Sequence, residues 1–140
     1  MPLYTCLVRP GDLSPQQRAI LAEEITRIHA EVTGAPRCFV QVFFREVAPG
    51  DGFVGGEPFA QASIVGLIRA GRSQEDKAKL LFSISQSWCQ VTGHDERELF
   101  VGVVDVPAKN MMEDGDLLPE PGEEEAWLLE HGLAPRPAPA

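Results

Sequence analysis

The sequence has no apolar run approaching the roughly 20 residues that a helix needs to cross a bilayer. Charge and proline interrupt its first ten residues, so nothing there resembles an export signal. Cationic charge is scarce: 12 Lys and Arg stand against 21 Asp and Glu, a formal net charge of −9. Nucleic-acid phosphates need cationic neutralisation, so nucleic acid is excluded as a partner. Cysteine is rare too. Cys6, Cys38 and Cys89 are odd in number, widely spaced and form no CxxC pair, which predicts buried free thiols in a reducing, cytoplasmic setting. The three histidines, His29, His94 and His131, have no HxH or HxxxH spacing, so no metal site is expected. No phosphate loop or dinucleotide fingerprint occurs. The glycine-rich stretch Asp51-Gly52-Phe53-Val54-Gly55-Gly56 lacks the preceding strand and following helix that a nucleotide loop needs, so no cofactor is expected.

What the sequence does contain is an internal repeat. Ser14-Pro15-Gln16-Gln17-Arg18-Ala19 resembles Ser73-Gln74-Glu75-Asp76-Lys77-Ala78, and Val32-Thr33-Gly34 matches Val91-Thr92-Gly93 at the same offset. Phe39-Val40-Gln41-Val42 resembles Phe100-Val101-Gly102-Val103 at an offset two residues larger, which an insertion after the second helix explains. The repeats cover about residues 2–47 and 61–106. Each half reads strand, helix, strand. Pro2 to Val8 and Ser63 to Ile68 are short apolar runs, each followed by a loop and a capping serine, Ser14 or Ser73. Pro15 suits the first helical position. Leu21, Ile25, Ile28 and Val32 make one helical stripe, and Leu80, Leu81, Ile84, Trp88 and Val91 make the other. Gly34 and Gly93 are the stops. Cys38 to Phe44 and Leu99 to Val104 are the expected second strands.

Such units join parallel strands by right-handed crossovers. The predicted class is therefore α/β (α+β): duplicated β-α-β units forming one four-stranded sheet with two helices on one face. Pro49 to Gly56 reads as a turn or hairpin between the halves. One domain over residues 1–133 is expected, with a disordered Pro/Ala tail over 134–140. A sheet covered on one face leaves edges and a surface to bury, which favours oligomers.

Five residues could carry chemistry. Pro2 would present a secondary amine on a rigid ring if Met1 were removed; burial and nearby cations would lower its pKa toward neutrality. Arg69 and Arg72, in Arg69-Ala70-Gly71-Arg72-Ser73, form a pair suited to grip a carboxylate at a helix start. His29 falls within the apolar stripe of the first helix, where a neutral ring could donate to a substrate oxygen and a protonated one could pair with a carboxylate. Glu113 stands beside Met111 and Met112, so it could be held against apolar surface with a raised pKa. Asp114 beside it would reinforce that rise if both were buried.

These residues, with Leu117-Leu118-Pro119-Glu120-Pro121-Gly122-Glu123-Glu124-Glu125-Ala126-Trp127, resemble the cis-3-chloroacrylate dehalogenase branch of the tautomerase superfamily from Pro2 to about Trp127. The resemblance implies a tautomerase-like β-α-β fold assembled as a homotrimer, a catalytic Pro2 amine, and Arg69 and Arg72 on the carboxylate of a small substrate. It also implies that His29 assists binding or polarises a carbonyl and that Glu113 directs water. Two positions depart from that pattern: Gly102 and Asp114 stand where tyrosines are found. Without those hydroxyls, enol–keto proton transfer on a 2-oxo acid is expected ahead of hydration or dehalogenation of acrylate-type acids. A third possibility is a non-enzymatic trimeric binding protein that retains Met1.

Overall fold

The computed structural model describes residues 1–133; the expected tail, 134–140, lies outside the described residues. The first half runs β1 (Leu3–Val8), α1 (Pro15–Thr33) and β2 (Gln41–Glu46), and the second runs β5 (Ala62–Arg69), α2 (Gln74–Thr92) and β6 (Leu99–Val106). A hairpin of β3 (Phe53–Val54) and β4 (Glu57–Pro58) separates them, and a C-terminal arm carries the hairpin β7 (Met112–Glu113) and β8 (Asp116–Leu117) and the short α3 (Glu124–Glu130).

The helices begin and end on the residues the sequence marks for that purpose. Ser14 accepts from the Gln17 N–H while the Gln17 side chain accepts from the Ser14 N–H, a complete capping box with Pro15 at the first position. Ser73 caps α2 through the Asp76 N–H. Both helices stop at glycines in the left-handed region, Gly34 (φ 74°) and Gly93 (φ 76°).

The sheet order is β2-β1-β5-β6. Strands within each half are parallel, and β1 runs antiparallel to β5 across the join. Alternation puts Tyr4, Cys6, Val8, Ile64 and Ile68 on the face that packs against Leu21, Ile25, Ile28, Leu80, Ile84 and Trp88. The other face presents Phe43, Phe100 and Val104, each at least half exposed. A separate cluster of Phe39, Ala108, Leu118, Trp127 and Leu128 lies under the C-terminal arm.

Two expectations need correction. The segment from Cys38 does not enter the sheet at once. Pro36 starts a single 3₁₀ turn over Arg37–Phe39, closed by bonds from the Phe39 and Val40 N–H groups, and the strand begins only at Gln41. This turn directs Phe39 under Trp127, with the rings edge to face at 5.5 Å. It also leaves Cys38 exposed, and Cys89 is half-buried, so of the three thiols only Cys6 is buried; no disulfide joins them. Among the described residues no helix is long and apolar enough to cross a membrane, and no group of three or more His, Cys, Asp and Glu could hold a metal ion.

Candidate active site

The antiparallel register Leu3↔Leu67 sets the head of β1 beside the tail of β5. Pro2 is buried there, and its carbonyl accepts from the Gln41 N–H at 3.0 Å. A proline suits this position because it has no N–H to offer the ladder. Met1 precedes it and packs on the Phe39–Trp127 cluster. The Met1 ammonium lies 2.5 Å from Glu113 Oε1, which also accepts from Gln41 Nε2 at 3.1 Å. Burial lowers the pKa of this amine, against the pull of Glu113, and the Arg69 charge lowers it further.

Glu113 reaches the N-terminus because it stands on a tight hairpin. Asp114 (φ 53°) and Gly115 (φ 78°) occupy its two turn positions, as a two-residue type I′ connection demands. Asp114 therefore points to solvent and is exposed. The expected joint burial of the two carboxylates does not occur, because Asp114 is exposed.

Arg69 is 2% exposed. Its Nη1 donates to the Pro119 carbonyl at 2.7 Å, its Nη2 donates to Glu124 Oε1 at 2.6 Å, and its guanidinium lies 5.6 Å from the Phe39 ring centroid. Gly71, at φ 111°, then turns the chain so that Arg72 returns toward the same region. Arg72 Nη1 donates to the Thr33 carbonyl at 2.7 Å, and Nη2 stays 3.9 Å from Glu124. Its Nε is buried with no hydrogen-bond partner. Burial lowers the Arg72 pKa and the neighbouring Arg69 charge adds to this, partly offset by Glu124 and Asp76. Burial pushes the Glu124 pKa up, but backbone N–H groups and Arg69 outweigh it, and the carboxyl lies below its usual range.

His29 is 2% exposed, with Nδ1 2.9 Å from the Tyr4 hydroxyl. Burial, then Arg72, Arg69 and the chain's N-terminal charge, push its pKa down to about 3, so the ring is neutral at physiological pH. Burial raises the Tyr4 phenol, so it stays protonated. The Tyr4 ring lies across Gly66, its register partner, where a Cβ would come within 2.4 Å of the ring.

The structure thus gathers all five sequence-derived candidates, Pro2, His29, Arg69, Arg72 and Glu113, around the head of β1. Sequence reasoning missed Tyr4, Gln41 and Glu124. The glycine inside β5 is a signal for Tyr4, since a strand glycine often marks close approach of another group. Glu124 had no such signal, being one acid in an acidic run.

A four-stranded mixed sheet built from two β-α-β units defines the tautomerase class of fold. The family model described as "Putative oxalocrotonate tautomerase enzyme" matches residues 1–131, and the chain belongs to the tautomerase superfamily. It is similar to N1, a member of the cis-3-chloroacrylic acid dehalogenase family: 35% identity, 91% of each chain covered, TM-score 0.87. It is 46% identical to native Ps01740 over 80% of this chain and 100% of that one, with a TM-score of 0.77. A fused 4-OT solved as a symmetric trimer is 27% identical over 84% of this chain and 95% of that one, with a TM-score of 0.76. None of the curated proteins matches significantly.

Proposed function

We propose that this chain is a cofactor-independent tautomerase that moves a proton between oxygen and carbon in the enol of a 2-oxo acid. One observation carries the reading: the chain's terminal nitrogen, ahead of β1, is largely buried with Arg69 in electrostatic reach, and the same terminal charge acts on the neutral His29. Removal of Met1 takes that nitrogen away and frees the Pro2 nitrogen, one residue further along the chain, as the new terminal amine. Pro2 is itself buried, and burial with a neighbouring cation disfavours the protonated form of an amine, so the freed nitrogen takes the substrate's proton and returns it to carbon. The guanidinium pair holds the substrate carboxylate and stabilises negative charge that develops during transfer. His29, neutral and held by Tyr4, donates to the 2-oxygen. Enols of the phenylenolpyruvate or 2-hydroxymuconate kind fit this chemistry. The apolar open face of the sheet supports assembly as a homotrimer.

The test is ketonisation of phenylenolpyruvate, followed by absorbance, with chain shown by intact mass to lack Met1. Pro2→Ala loses at least ~100-fold in rate, within the range of general acid–base catalysis, while the fold survives. An unchanged rate in that variant sinks the reading. Retention of Met1 in all of the protein supports instead a trimeric binding protein, since Pro2 then has only an amide nitrogen.

The position of Glu113 favours a second reading, hydration or dehalogenation of acrylate-type acids. Its carboxylate lies 2.5 Å from the Met1 amine, and removal of Met1 leaves it facing the vacated place next to Pro2, where it directs water. Gly102 is on the open face of β6, paired with Val65, and offers no hydroxyl. This reading requires halide release from 3-chloroacrylate that Glu113→Gln abolishes; equal turnover by that variant removes Glu113 from the chemistry.

A further inference from the structure

We propose that Tyr4 is a positioning residue for the proton transfer: its hydroxyl donates to His29 Nδ1, fixes the imidazole as the Nε2–H tautomer, and so gives the substrate's 2-oxygen a donor at Nε2 instead of a lone pair. The inference rests on the tautomerase reading above.

Only one arrangement of this bond satisfies both side chains. Tyr4 is fully buried, and its hydroxyl lies 2.9 Å from Nδ1. The phenol has no other hydrogen-bond partner among the described residues. If Nδ1 carried a proton, it would donate to the phenol oxygen. The phenol proton would then have no acceptor in a place closed to water, which is costly. Burial keeps that proton on the phenol. The phenol therefore donates, Nδ1 accepts, and the proton of the uncharged ring sits on Nε2.

Nε2 is the ring's free end. It bonds to no described residue, yet it is not one of the two buried side-chain nitrogens without a partner, Arg18 Nε and Arg72 Nε. The 2% of its surface that His29 keeps exposed therefore includes Nε2. The charges that act on the ring are those of Arg72, Arg69 and the N-terminus, so the ring stands among the groups of the candidate site.

The sheet sets the direction of the bond. Tyr4 stands on β1 two residues after Pro2, and both are buried on one face. Its register partner is Gly66, and the ring lies over that glycine in space that a Cβ would take. One stretch of chain thus carries both the nitrogen that moves the proton and the hydroxyl that holds the imidazole.

The experiment uses Met1-cleaved protein with isotopically labelled histidine nitrogens. The tautomer is read by NMR from the His29 nitrogen resonances, assigned with His29→Gln, and ketonisation of phenylenolpyruvate gives kcat and KM. The wild type is expected to have Nε2 protonated and Nδ1 bare; the opposite overturns the proposal. Tyr4→Phe is expected to move the two resonances toward each other as both tautomers become populated. It should lower kcat about tenfold, less than the ~100-fold that loss of a donor itself costs, and change KM less than about threefold. In the His29→Gln background, Tyr4→Phe should change kcat less than about twofold, since Tyr4 acts only through the imidazole. General damage to the fold would lower kcat alike in both backgrounds, and that result overturns the proposal. A Tyr4→Phe enzyme with wild-type resonances or wild-type kcat also overturns it. If Tyr4→Phe does not fold, fluorotyrosine is supplied in place of tyrosine, which alters Tyr4 alone because the chain has one tyrosine. Its more acidic phenol is a stronger donor and must shift the Nδ1 resonance; an unmoved resonance overturns the proposal. If the wild type turns over the enol and Tyr4→Phe equals it, this proposal falls and the tautomerase reading stands. If the wild type does not turn over the enol, the tautomerase reading falls, and the resonances alone decide whether Tyr4 fixes the ring.

Discussion

Gly66→Ala tests whether the Tyr4–His29 pair is built by the sheet. A methyl at position 66 would lie 2.4 Å from Tyr4 Cε1 and 2.8 Å from Cδ1, well inside any real contact. Tyr4 is fully buried between the sheet and the helices, so its ring has no open space to enter. Overpacking of this kind costs about 1–3 kcal/mol. Displacement of the ring also breaks the 2.9 Å bond to His29, worth about 1 kcal/mol. The sum, about 2–4 kcal/mol, is a large fraction of a domain's stability. Tyr4→Phe is the control: it keeps the ring, removes only the hydroxyl, and costs about 1 kcal/mol. Both are read by urea unfolding at one protein concentration, since assembly makes stability concentration-dependent. The site should follow the same order, with kcat lower in Gly66→Ala than in Tyr4→Phe, because the first moves the imidazole and the second only frees it. A Gly66→Ala loss below about 0.5 kcal/mol, no more than an ordinary surface change, would refute the argument.

Two further outcomes follow from charge and exposure. The His29 pKa falls from 6.5 to about 3 on folding, so below pH 6.5 the unfolded chain binds a proton that the folded chain refuses. Stability is full above pH 6.5 and declines as pH drops toward 3, by up to about 1.4 kcal/mol per unit. Urea titrations between pH 6.5 and 5, above the range of the lowered carboxylates, should show this slope, and His29→Gln should flatten it; an equal slope in the variant excludes His29 as its source. Phe43, half exposed on the open sheet face, should be covered in a homotrimer. Phe43→Glu is expected to turn a trimer into monomers in sedimentation velocity, and an undisturbed trimer would place the interface elsewhere.

The duplicated framework was legible because its signals are local. Capping serines, terminal glycines and 3.6-residue stripes recur in both halves, and each acts within a few residues of itself. Parallel pairing within a half follows from the crossover helix, but no local signal states that β1 and β5 run antiparallel. The turn at Arg37–Phe39 was read as strand because Cys38, Phe39 and Val40 have strand-like composition; packing of Phe39 under Trp127 overrides it. The arm was the least legible part. Asp114-Gly115 is a hairpin signal hidden among acids, and Glu124 differs from Glu123 and Glu125 only in what folding brings to it. Arg69 and Arg72 stood out because cations are scarce in this chain. Their inequality was invisible, since Pro119, Thr33 and Glu124 come from three distant segments.

The two hydrophobic clusters are separate, and the candidate site lies at their seam. The larger one belongs to the repeats and needs nothing beyond β6. The smaller is contributed mainly by the final arm, which also supplies Glu113, Pro119 and Glu124. A chain still emerging from the ribosome can thus close its sheet over both helices while its N-terminus has no Glu113 beside it and Arg69 has no Glu124. The candidate site is completed only by the last segment made.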